Sequence, residues 1–356
     1  MGWRCYLFFD AKYCVKEGKV VLKILGWAGY DQGLSKTFES FTKETGISVS
    51  FRGVRNQDDM HRAAEAEAFD IACPTTDRLA SWLNSGLITT LDDDRIGYAR
   101  IDKAYHADDH TIIQDRRYGA PSLWGGAGIG HNTRLAPLDP TGVSLMALFD
   151  PAFAGRLTIR EDTAFVAAGR ALGALGRLPY QFDDSYEFED RMIANYDVII
   201  AFLVDHATHV ARFWFSEEEG IEAFLSGDCV IGYNWDTTIA ALQRQAMSCG
   251  FIAPEEGTNC YLQNFVLSEK ADPGSAQDWI SWVNTPKGSA MYAMAFGANP
   301  TATGAWEFLP AEDQAFFTAS YPAKALDRLW WQPEQPMWFV KHRQRYANKF
   351  RAAVEG

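Results

Sequence analysis

Gly26-Trp27-Ala28-Gly29-Tyr30 follows directly on an apolar, partly β-branched run and directly precedes an amphipathic helical pattern. This order predicts a first strand that ends in a loop carrying two aromatic rings. In an open α/β sheet, ligands bind beyond the carboxyl ends of the strands. The loop has no G-x-G-x-x-G spacing and no Lys-Ser/Thr pair after a glycine-rich turn, so a phosphate cradle is not indicated. Two ring faces suit a flat or cationic ligand; packing under the first helix is the alternative.

Strand and helix patterns alternate around this loop, from residue 20 to about residue 120. Strands are predicted at residues 20–25, 47–51 and 69–73, and helices at residues 59–68, at residues 76–84 and in a segment ending at Gly46. The βαβαβα order indicates a parallel sheet with right-handed crossovers. Thr75 and Thr76 follow the third strand, so we expect them at the same sheet edge as Trp27.

A glycine-rich, extended stretch at residues 118–132 suits strands that cross from one domain to the next. A second α/β pattern follows, with helices predicted at residues 144–149, 164–175 and 186–206 and strands at residues 156–159, 229–233 and 261–267. The 356 residues exceed the size at which a single core stops growing, about 250–300 residues. Two domains joined by several short crossings are therefore expected.

Composition excludes several classes of protein. The net charge of −13 and the lack of any basic run argue against nucleic-acid binding. No segment approaches the about 20 apolar residues of a membrane span. Residues 1–19 have a short apolar run and no small-residue cleavage site, which is not the pattern of a signal peptide. They form an N-terminal extension whose status the sequence leaves open.

The six cysteines are not spaced for metal binding or redox chemistry. No C-x-x-C pair occurs, which argues against a structural zinc site or a thioredoxin-like motif. Cys229, Cys249 and Cys260 fall within one segment, and two of them could be bridged in an exported protein. The alternative is that all are buried thiols. The sequence does not choose a pair.

Short motifs occur in a definite order along the chain. They are residues 26–30, 69–75, 118–121 with Trp124, 128–132, 148–151 with Phe153, Gly155-Arg156, residues 225–233 and residues 254–257. With these motifs the chain resembles the spermidine/putrescine-type periplasmic solute-binding proteins of ABC importers over residues 20 to about 355. Each motif is weak alone, and their order and spacing make the resemblance specific.

The resemblance implies an α/β, type II periplasmic-binding-protein-like fold. Each of its two lobes is a mainly parallel sheet flanked by helices, with the ligand cleft between the lobes. Lobe 1 is expected at residues 20–124 and 252–298, and lobe 2 at residues 125–251 and 299–356. The resemblance further implies a periplasmic monomer that binds a small amine or zwitterion without a cofactor, catalyses no reaction and delivers its ligand to an ABC permease in the inner membrane.

Several residues match the family's binding positions. Trp27 and Tyr30 match the aromatic pair of the first loop, and Thr75 matches a small hydroxyl or aromatic position. Tyr233 stands where the family has a tryptophan platform, and Asp236 matches a carboxylate that holds a ligand ammonium. The full set of predicted ligand-binding residues is Trp27, Tyr30, Thr75, Thr76, Trp124, Arg160, Thr163, Arg212, Tyr233, Trp235, Asp236, Tyr261, Gln263 and Phe296.

The other half of the family's amine cage differs here. Tyr261 precedes Gln263, where an aspartate is expected, and Arg160 and Thr163 replace expected carboxylates. A diamine needs an acidic partner at both ends, because a buried, unpaired ammonium costs several kcal/mol. We therefore expect a zwitterion, with its amine on Asp236 and its acid group on Arg160 or Arg212. The alternatives are a polyamine, with Glu161 or Asp162 as the second carboxylate, and a surface position for Arg160.

Two other functions stay open at this level. Cys73 and His131 could form a nucleophile and base on the same two-lobe fold, although core packing of both is the simpler interpretation. Some related two-lobe proteins bind ferric iron through paired tyrosines. Adjacent tyrosines are absent here, and among the histidines only His206 and His209 form an i, i+3 pair.

Overall fold

The computed structural model describes the backbone of residues 3–8, 11–16 and 20–356, and the side chains of residues 20–356 other than Asp31 and Ala323. Within the predicted N-terminal extension, the described backbone forms two antiparallel strands, β1 (Trp3–Phe8) and β2 (Ala11–Lys16). The side chains of Cys5 and Cys14 lie outside the described residues.

The chain from residue 20 to residue 132 alternates strands with short helices. In order these are β3 (Val21–Trp27), α1 (Asp31–Thr45), β4 (Ser48–Val54), α2 (Gln57–Ala66), β5 (Ile71–Ala72), α3 (Leu79–Asn84), β6 (Ile88–Thr89), α4 (Asp93–Ile96), α5 (Asp108–Thr111), β7 (Ile112–Ile113), β8 (Arg116–Arg117) and β9 (Ala120–Asn132).

The remaining elements begin with a second alternating pattern. They are β10 (Leu157–Ile159), α6 (Ala164–Ala174), α7 (Asp184–Glu187), α8 (Glu189–Asp205), β11 (Val210–Phe213), α9 (Glu217–Leu225), β12 (Ile231–Trp235), α10 (Asp236–Arg244), β13 (Cys249–Ile252), β14 (Asn259–Ser268), α11 (Pro273–Val283), α12 (Pro286–Phe296), β15 (Asn299–Pro300), α13 (Ala311–Ser320), α14 (Ala323–Leu326), β16 (Trp330–Trp331) and α15 (Met337–Glu355).

The chain divides into two compact units. Unit 1 comprises Met1–Trp124 and Leu262–Leu309, and unit 2 comprises Gly125–Tyr261 and Pro310–Gly356. The predicted lobes divide after residues 124, 251 and 298, whereas the units divide after residues 124, 261 and 309. Residues 299 and 300 fall in unit 1 because β15 pairs antiparallel with Leu123 and Trp124 of that unit.

Parallel strands form the centre of unit 1, as the first α/β pattern predicts. β3 pairs in parallel with β4 and β5, so that Ile24 lies opposite Phe51 on one side and Ile71 on the other. β14 extends this sheet by antiparallel pairing with β5. α1 ends at Gly46, whose positive φ of 79° forms a left-handed cap that glycine adopts without strain.

Unit 2 contains a second parallel group of strands. β10 pairs in parallel with β11 and with β12, and β12 pairs antiparallel with β9. Its core packs α6, α8 and α15 over the sheet through fully buried rings such as Phe165, Tyr196 and Tyr346. Phe165 and Tyr196 stack with centroids 5.0 Å apart.

Some predicted boundaries are wrong. Residues 76–78 form a 3-10 turn, and α3 begins only at Leu79. The helix predicted at residues 144–149 is a 3-10 helix, and the acidic block at residues 186–206 is broken at Phe188, which is extended. The strand predicted at residues 229–233 begins two residues later, because its pairing with β9 and β10 starts at Ile231. Across the described part of the chain, no helix is both long enough and apolar enough to span a membrane.

Candidate functional site

The first loop of unit 1 carries its rings at the carboxyl end of β3. Trp27 is the last residue of that strand and is partly exposed, with one side against the unit 1 core. Tyr30 precedes α1, and its ring packs on Phe296 at the end of α12, with centroids 4.5 Å apart. Phe296 in turn lies 5.1 Å from the ring of Tyr292. The sheet edge of unit 1 therefore carries an aromatic row backed by a buried ring.

The two threonines after β5 are held by hydrogen bonds within unit 1. The Gln57 amide donates to Thr75 Oγ1 at 2.7 Å, and the Thr75 hydroxyl donates to Asp77. The Asn264 amide donates to Thr76 Oγ1 at 2.8 Å. Both threonines lie at the carboxyl end of β5, as predicted, and their hydroxyls are oriented by neighbouring amides.

Gln263 lies in the interior of unit 1, with 1% of its surface exposed. Its Nε2 donates to Ser122 Oγ at 3.0 Å and to the Tyr292 hydroxyl at 2.8 Å. Both amide N–H groups are therefore committed within the unit. A carboxylate at this position would place a negative charge beside two hydroxyls in a buried environment, whereas the neutral amide forms the same network without that desolvation cost.

Two predicted binding residues, Trp124 and Tyr233, lie inside the cores of their units. Trp124 is fully buried in unit 1 and stacks on Tyr105, with centroids 5.4 Å apart. Tyr233 is 1% exposed in unit 2. Burial raises the pKa of its hydroxyl, although the positive charge of Arg170 acts in the opposite direction. The ring of this strand that reaches solvent belongs to Trp235, the last residue of β12.

In unit 2, the carboxyl ends of three parallel strands bring Trp214, Arg160 and Trp235 together. Arg160 follows the last residue of β10, and Trp214 follows the last residue of β11. The backbone N–H of Trp214 donates to the Ile159 carbonyl at 3.3 Å. The Arg160 guanidinium carbon lies 5.3 Å from the Trp214 ring and 5.6 Å from the Trp235 ring, within the range of cation–π attraction. The indoles meet edge to face at 4.9 Å.

Asp162 binds Arg160 through two hydrogen bonds. Arg160 Nε donates to Asp162 Oδ1 at 3.1 Å and Nη2 donates to Oδ2 at 3.4 Å. Burial by itself would raise the pKa of Asp162, but the positive charges of Arg160 and Arg343 and the Thr163 N–H hold it below its usual value. Asp162 is therefore ionised at neutral pH and orients the guanidinium.

Asp236 is the first residue of α10 and is 2% exposed. Its carboxylate accepts the Thr237 N–H at 2.9 Å and the Tyr321 hydroxyl at 2.8 Å. A carboxylate in the first turn of a helix is also stabilised by the helix dipole. Burial and the charge of Asp236 raise the pKa of Tyr321 well above its usual value, so this hydroxyl remains a donor at neutral pH.

Two tyrosines of unit 2 pack directly on the backbone of β9 at positions where the strand has glycine. A β-carbon at Gly125 would overlap the ring and hydroxyl of Tyr261, and one at Gly126 would meet the Tyr321 hydroxyl at 2.6 Å. Tyr261 is partly exposed, whereas Tyr321 is buried with Asp236. The glycine-rich pattern that predicts close backbone approach thus corresponds to tyrosine packing on this strand.

The other charged candidates of unit 2 have partners of their own. Arg212 pairs with Asp228 at 3.6 Å, with 40% of its side-chain surface exposed. Glu161 is buried and pairs with Arg351. Arg160 and Asp162 thus meet at the strand ends, whereas Arg212 and Glu161 are each engaged elsewhere within the unit.

Two residues of this arrangement were not predicted from the sequence. Trp214 follows a strand whose pairing with β10 has no local signature, and Tyr321 is distant in sequence from Asp236. The one local signal for Trp214 is an aromatic residue directly after an apolar strand pattern, which is the feature that identified Trp27.

The cysteines of the described side chains are buried free thiols: Cys73, Cys229, Cys249 and Cys260. Burial raises the pKa of Cys73 to about 12, against a weak hydrogen bond with Tyr292, so the thiol is protonated at neutral pH. His131 is buried in unit 2, where Nδ1 lies 2.8 Å from the Ala136 carbonyl oxygen. Each candidate catalytic group is therefore engaged in its own core.

The histidine pair of unit 2 packs as rings. His206 and His209 have centroids 5.2 Å apart, and His206 Nδ1 lies 2.8 Å from the Phe202 carbonyl oxygen. Among the described residues, no group of three or more His, Cys, Asp or Glu side chains is arranged to hold a metal ion.

Comparison with known proteins identifies the class. The model of the family described as bacterial extracellular solute-binding protein matches residues 36–318. The chain belongs to this family. Curated relatives include the spermidine/putrescine-binding periplasmic protein of Salmonella typhimurium, 22% identical over 65% of this chain and 64% of the relative, and protein 1 of the same name from Haemophilus influenzae, 20% identical over 83% and 80%. The chain thus spans about 64% of the Salmonella protein's length.

Solved structures share the fold at low sequence identity. The spermidine/putrescine ABC transporter substrate-binding protein PotD from Streptococcus pneumoniae matches with a TM-score of 0.78 and 17% identity, over 94% of this chain and 100% of that chain. A GABA receptor matches with a TM-score of 0.67 and 18% identity, over 94% and 97%. The predicted two-lobe α/β fold is confirmed. The matched proteins are solute-binding proteins rather than enzymes.

Proposed function

We propose that this chain is the substrate-binding protein of an ABC importer and that it captures a small amine-bearing solute, either a polyamine or a zwitterionic amine. The observation that carries the proposal is the juxtaposition of Trp235 and Asp236 in unit 2. A partly exposed indole directly precedes a buried carboxylate oriented by two hydrogen-bond donors. An ammonium is attracted by the ring face and by the charge together.

The names of the similar proteins agree with an amine. The curated relatives are spermidine/putrescine-binding proteins, and one structural match is a GABA receptor. Polyamines and γ-aminobutyrate share an ammonium on a short alkyl chain, and they differ at the other end. The shared group is the one that Asp236 would bind.

The aromatic row of unit 1 supplies the second part of the proposed site. Trp27 and Tyr30 lie at the strand edge where ligands bind in α/β sheets, and their partly exposed rings would cover the alkyl chain or ammonium of the solute. Thr75 and Thr76 are the polar groups of the same edge. Closure of the two lobes on the ligand, as the resemblance implies, is part of the proposal.

Membership of the family supports a proposal for the location and the partner. We propose that the protein acts in the periplasm as a monomer and passes its solute to an ABC permease of the inner membrane. The net charge of −13 supports the monomer in this proposal, because like charges on two copies of the chain repel each other.

The test is a thermal-shift screen followed by calorimetry. The ligands are putrescine, spermidine, γ-aminobutyrate, taurine, glycine betaine and aminoethylphosphonate, because a ligand that binds only the folded chain raises its melting temperature. Asp236→Asn is expected to lower the affinity for the best amine at least about tenfold, since the charge partner of the ammonium is lost. Asp205→Asn, an exposed aspartate at the end of α8, is the matched control. Equal affinities of wild type and Asp236→Asn would refute the site.

A further inference from the structure

The donor groups of Arg160 are only partly used. A guanidinium has five N–H groups in one plane. Nε and Nη2 donate to Asp162 along one edge of that plane. Among the residues that the structure describes, Nη1 has no hydrogen-bond partner. The edge formed by Nη1 and the second N–H of Nη2 therefore remains available, and it presents two parallel donors.

The surroundings favour an anion at this edge. Asp162 pairs with Arg160, and the positive charge of Arg343, which hydrogen bonds to the neutral Gln335, also lowers the pKa of Asp162. Arg160 and Asp162 each have 25% of their side-chain surface exposed, which leaves the guanidinium reachable from solvent. Electrostatic attraction is strengthened where aromatic rings exclude water.

Trp214 provides a buried ring against the Arg160 guanidinium. The residue is 1% exposed, and within the described part of the chain its Nε1 has no hydrogen-bond partner. Its ring packs against Arg160. The Arg160 guanidinium therefore lies against a ring that water does not reach, and this dry side strengthens its attraction for an anion.

We infer that Arg160 binds a carboxylate of the solute end-on, and that Asp162 is the positioning residue that holds the guanidinium in this orientation. The inference rests on the proposed function and deepens it, because it assigns the solute to the ω-amino acid class. The ammonium end is bound by Asp236 and the acid end by Arg160. A carboxylate matches two parallel N–H donors in a bidentate pair, whereas a second ammonium would be repelled.

The experiment compares ω-amino acids with diamines of matched length. Isothermal titration calorimetry uses β-alanine, γ-aminobutyrate, 5-aminovalerate and 6-aminohexanoate against 1,3-diaminopropane, putrescine and cadaverine. The variants are Arg160→Gln, Arg160→Lys and Asp162→Asn. The control is Arg134→Gln, an exposed arginine in the same unit.

Wild type is expected to bind one ω-amino acid at least about tenfold more tightly than its matched diamine. Arg160→Gln should lower that affinity about tenfold or more without weakening diamines. Arg160→Lys should lose most of the same affinity, because the ammonium keeps the charge but not the planar edge. Asp162→Asn should lower the ratio of amino acid to diamine affinity about threefold or more, a readout that general destabilisation would leave unchanged. The control should match wild type.

The outcomes separate this inference from the proposed function. Tight diamine binding that is indifferent to Arg160→Gln would overturn the carboxylate assignment and leave the amine-binding function intact. An unchanged affinity ratio in Asp162→Asn, with Arg160→Gln behaving as expected, would overturn the positioning role alone. No binding by either class of ligand would overturn the proposed function and the carboxylate assignment together.

Discussion

Asp236 and Tyr321 form a hydrogen bond at 2.8 Å that joins the start of α10 to the end of α13. The donor is a buried phenol whose raised pKa keeps it protonated, and the acceptor is a carboxylate at a helix N-terminus. Both partners depend on the bond, since a hydrogen bond to a charged group contributes about 1.5–3 kcal/mol. The carboxylate proposed to hold the ligand ammonium is therefore positioned by the hydroxyl of a buried tyrosine.

Tyr321→Phe is expected to reduce the free energy of unfolding by about 1–3 kcal/mol, because the Asp236 carboxylate loses one of its donors in a buried environment. The affinity for the amine ligand should fall by less than in Asp236→Asn, since the charge remains. Urea unfolding and calorimetry measure the two quantities. Phe317→Leu, also on α13, is the comparison for a change in ring packing alone, because its ring lies 5.0 Å from Tyr321. Wild-type stability and affinity in Tyr321→Phe would contradict the positioning role.

At the scale of elements, local sequence pattern predicts the strands and helices better than their pairing. The alternating apolar pattern identifies β3, β4 and β5, and the structure pairs them in parallel. The strand containing Tyr233 is predicted two residues early, because Cys229 and Val230 are as apolar as the paired residues that follow. Because the whole strand lies two residues later than predicted, its last residue is Trp235 rather than Tyr233.

The site shows the same division between local and long-range information. The aromatic loop at Trp27 and the cation at Arg160 follow from sequence, because each directly succeeds a recognisable strand. The cluster of Arg160 with Trp214 follows only from the pairing of β10 with β11, elements about 50 residues apart on the chain. The hydrogen bond between Gln263 and Tyr292 is likewise a long-range contact, which no local pattern encodes.

β9 depends on glycine where tyrosines cross it. Gly125→Ala would place a methyl group on the ring of Tyr261, so we expect the ring to shift and the free energy of unfolding to fall by about 1–3 kcal/mol. Gly173→Ala in α6 adds the same group at a position where the nearest atom, of Leu178, is 3.6 Å away. This control should gain about 0.5–1 kcal/mol, because alanine is the better helix former. Equal effects of the two substitutions in urea unfolding would show that close packing at Gly125 is unimportant.

At the scale of the whole molecule, neither unit is a continuous piece of chain. The chain leaves unit 1 after Trp124, returns at Leu262 and leaves again after Leu309. The returning segment supplies β14, which pairs with β5, and α11, whose Trp279 meets the ring of Phe41 on α1 at 5.0 Å. Unit 1 therefore completes its core only with residues that lie more than a hundred positions further along the sequence.

A fragment of residues 20–124 alone is expected to remain without a cooperative unfolding transition, because it retains α1 but lacks the strand and helices that cover it. Joining residues 20–124 to residues 262–309 through a flexible glycine-serine linker restores unit 1 from residue 20 onward. This fusion should unfold cooperatively in urea, with a native-like near-ultraviolet circular dichroism signal from Trp279. Trp279→Phe in the fusion identifies that signal. Cooperative unfolding of residues 20–124 by themselves would show that the first α/β pattern is sufficient for folding and that the returning segment only adds to a core already formed.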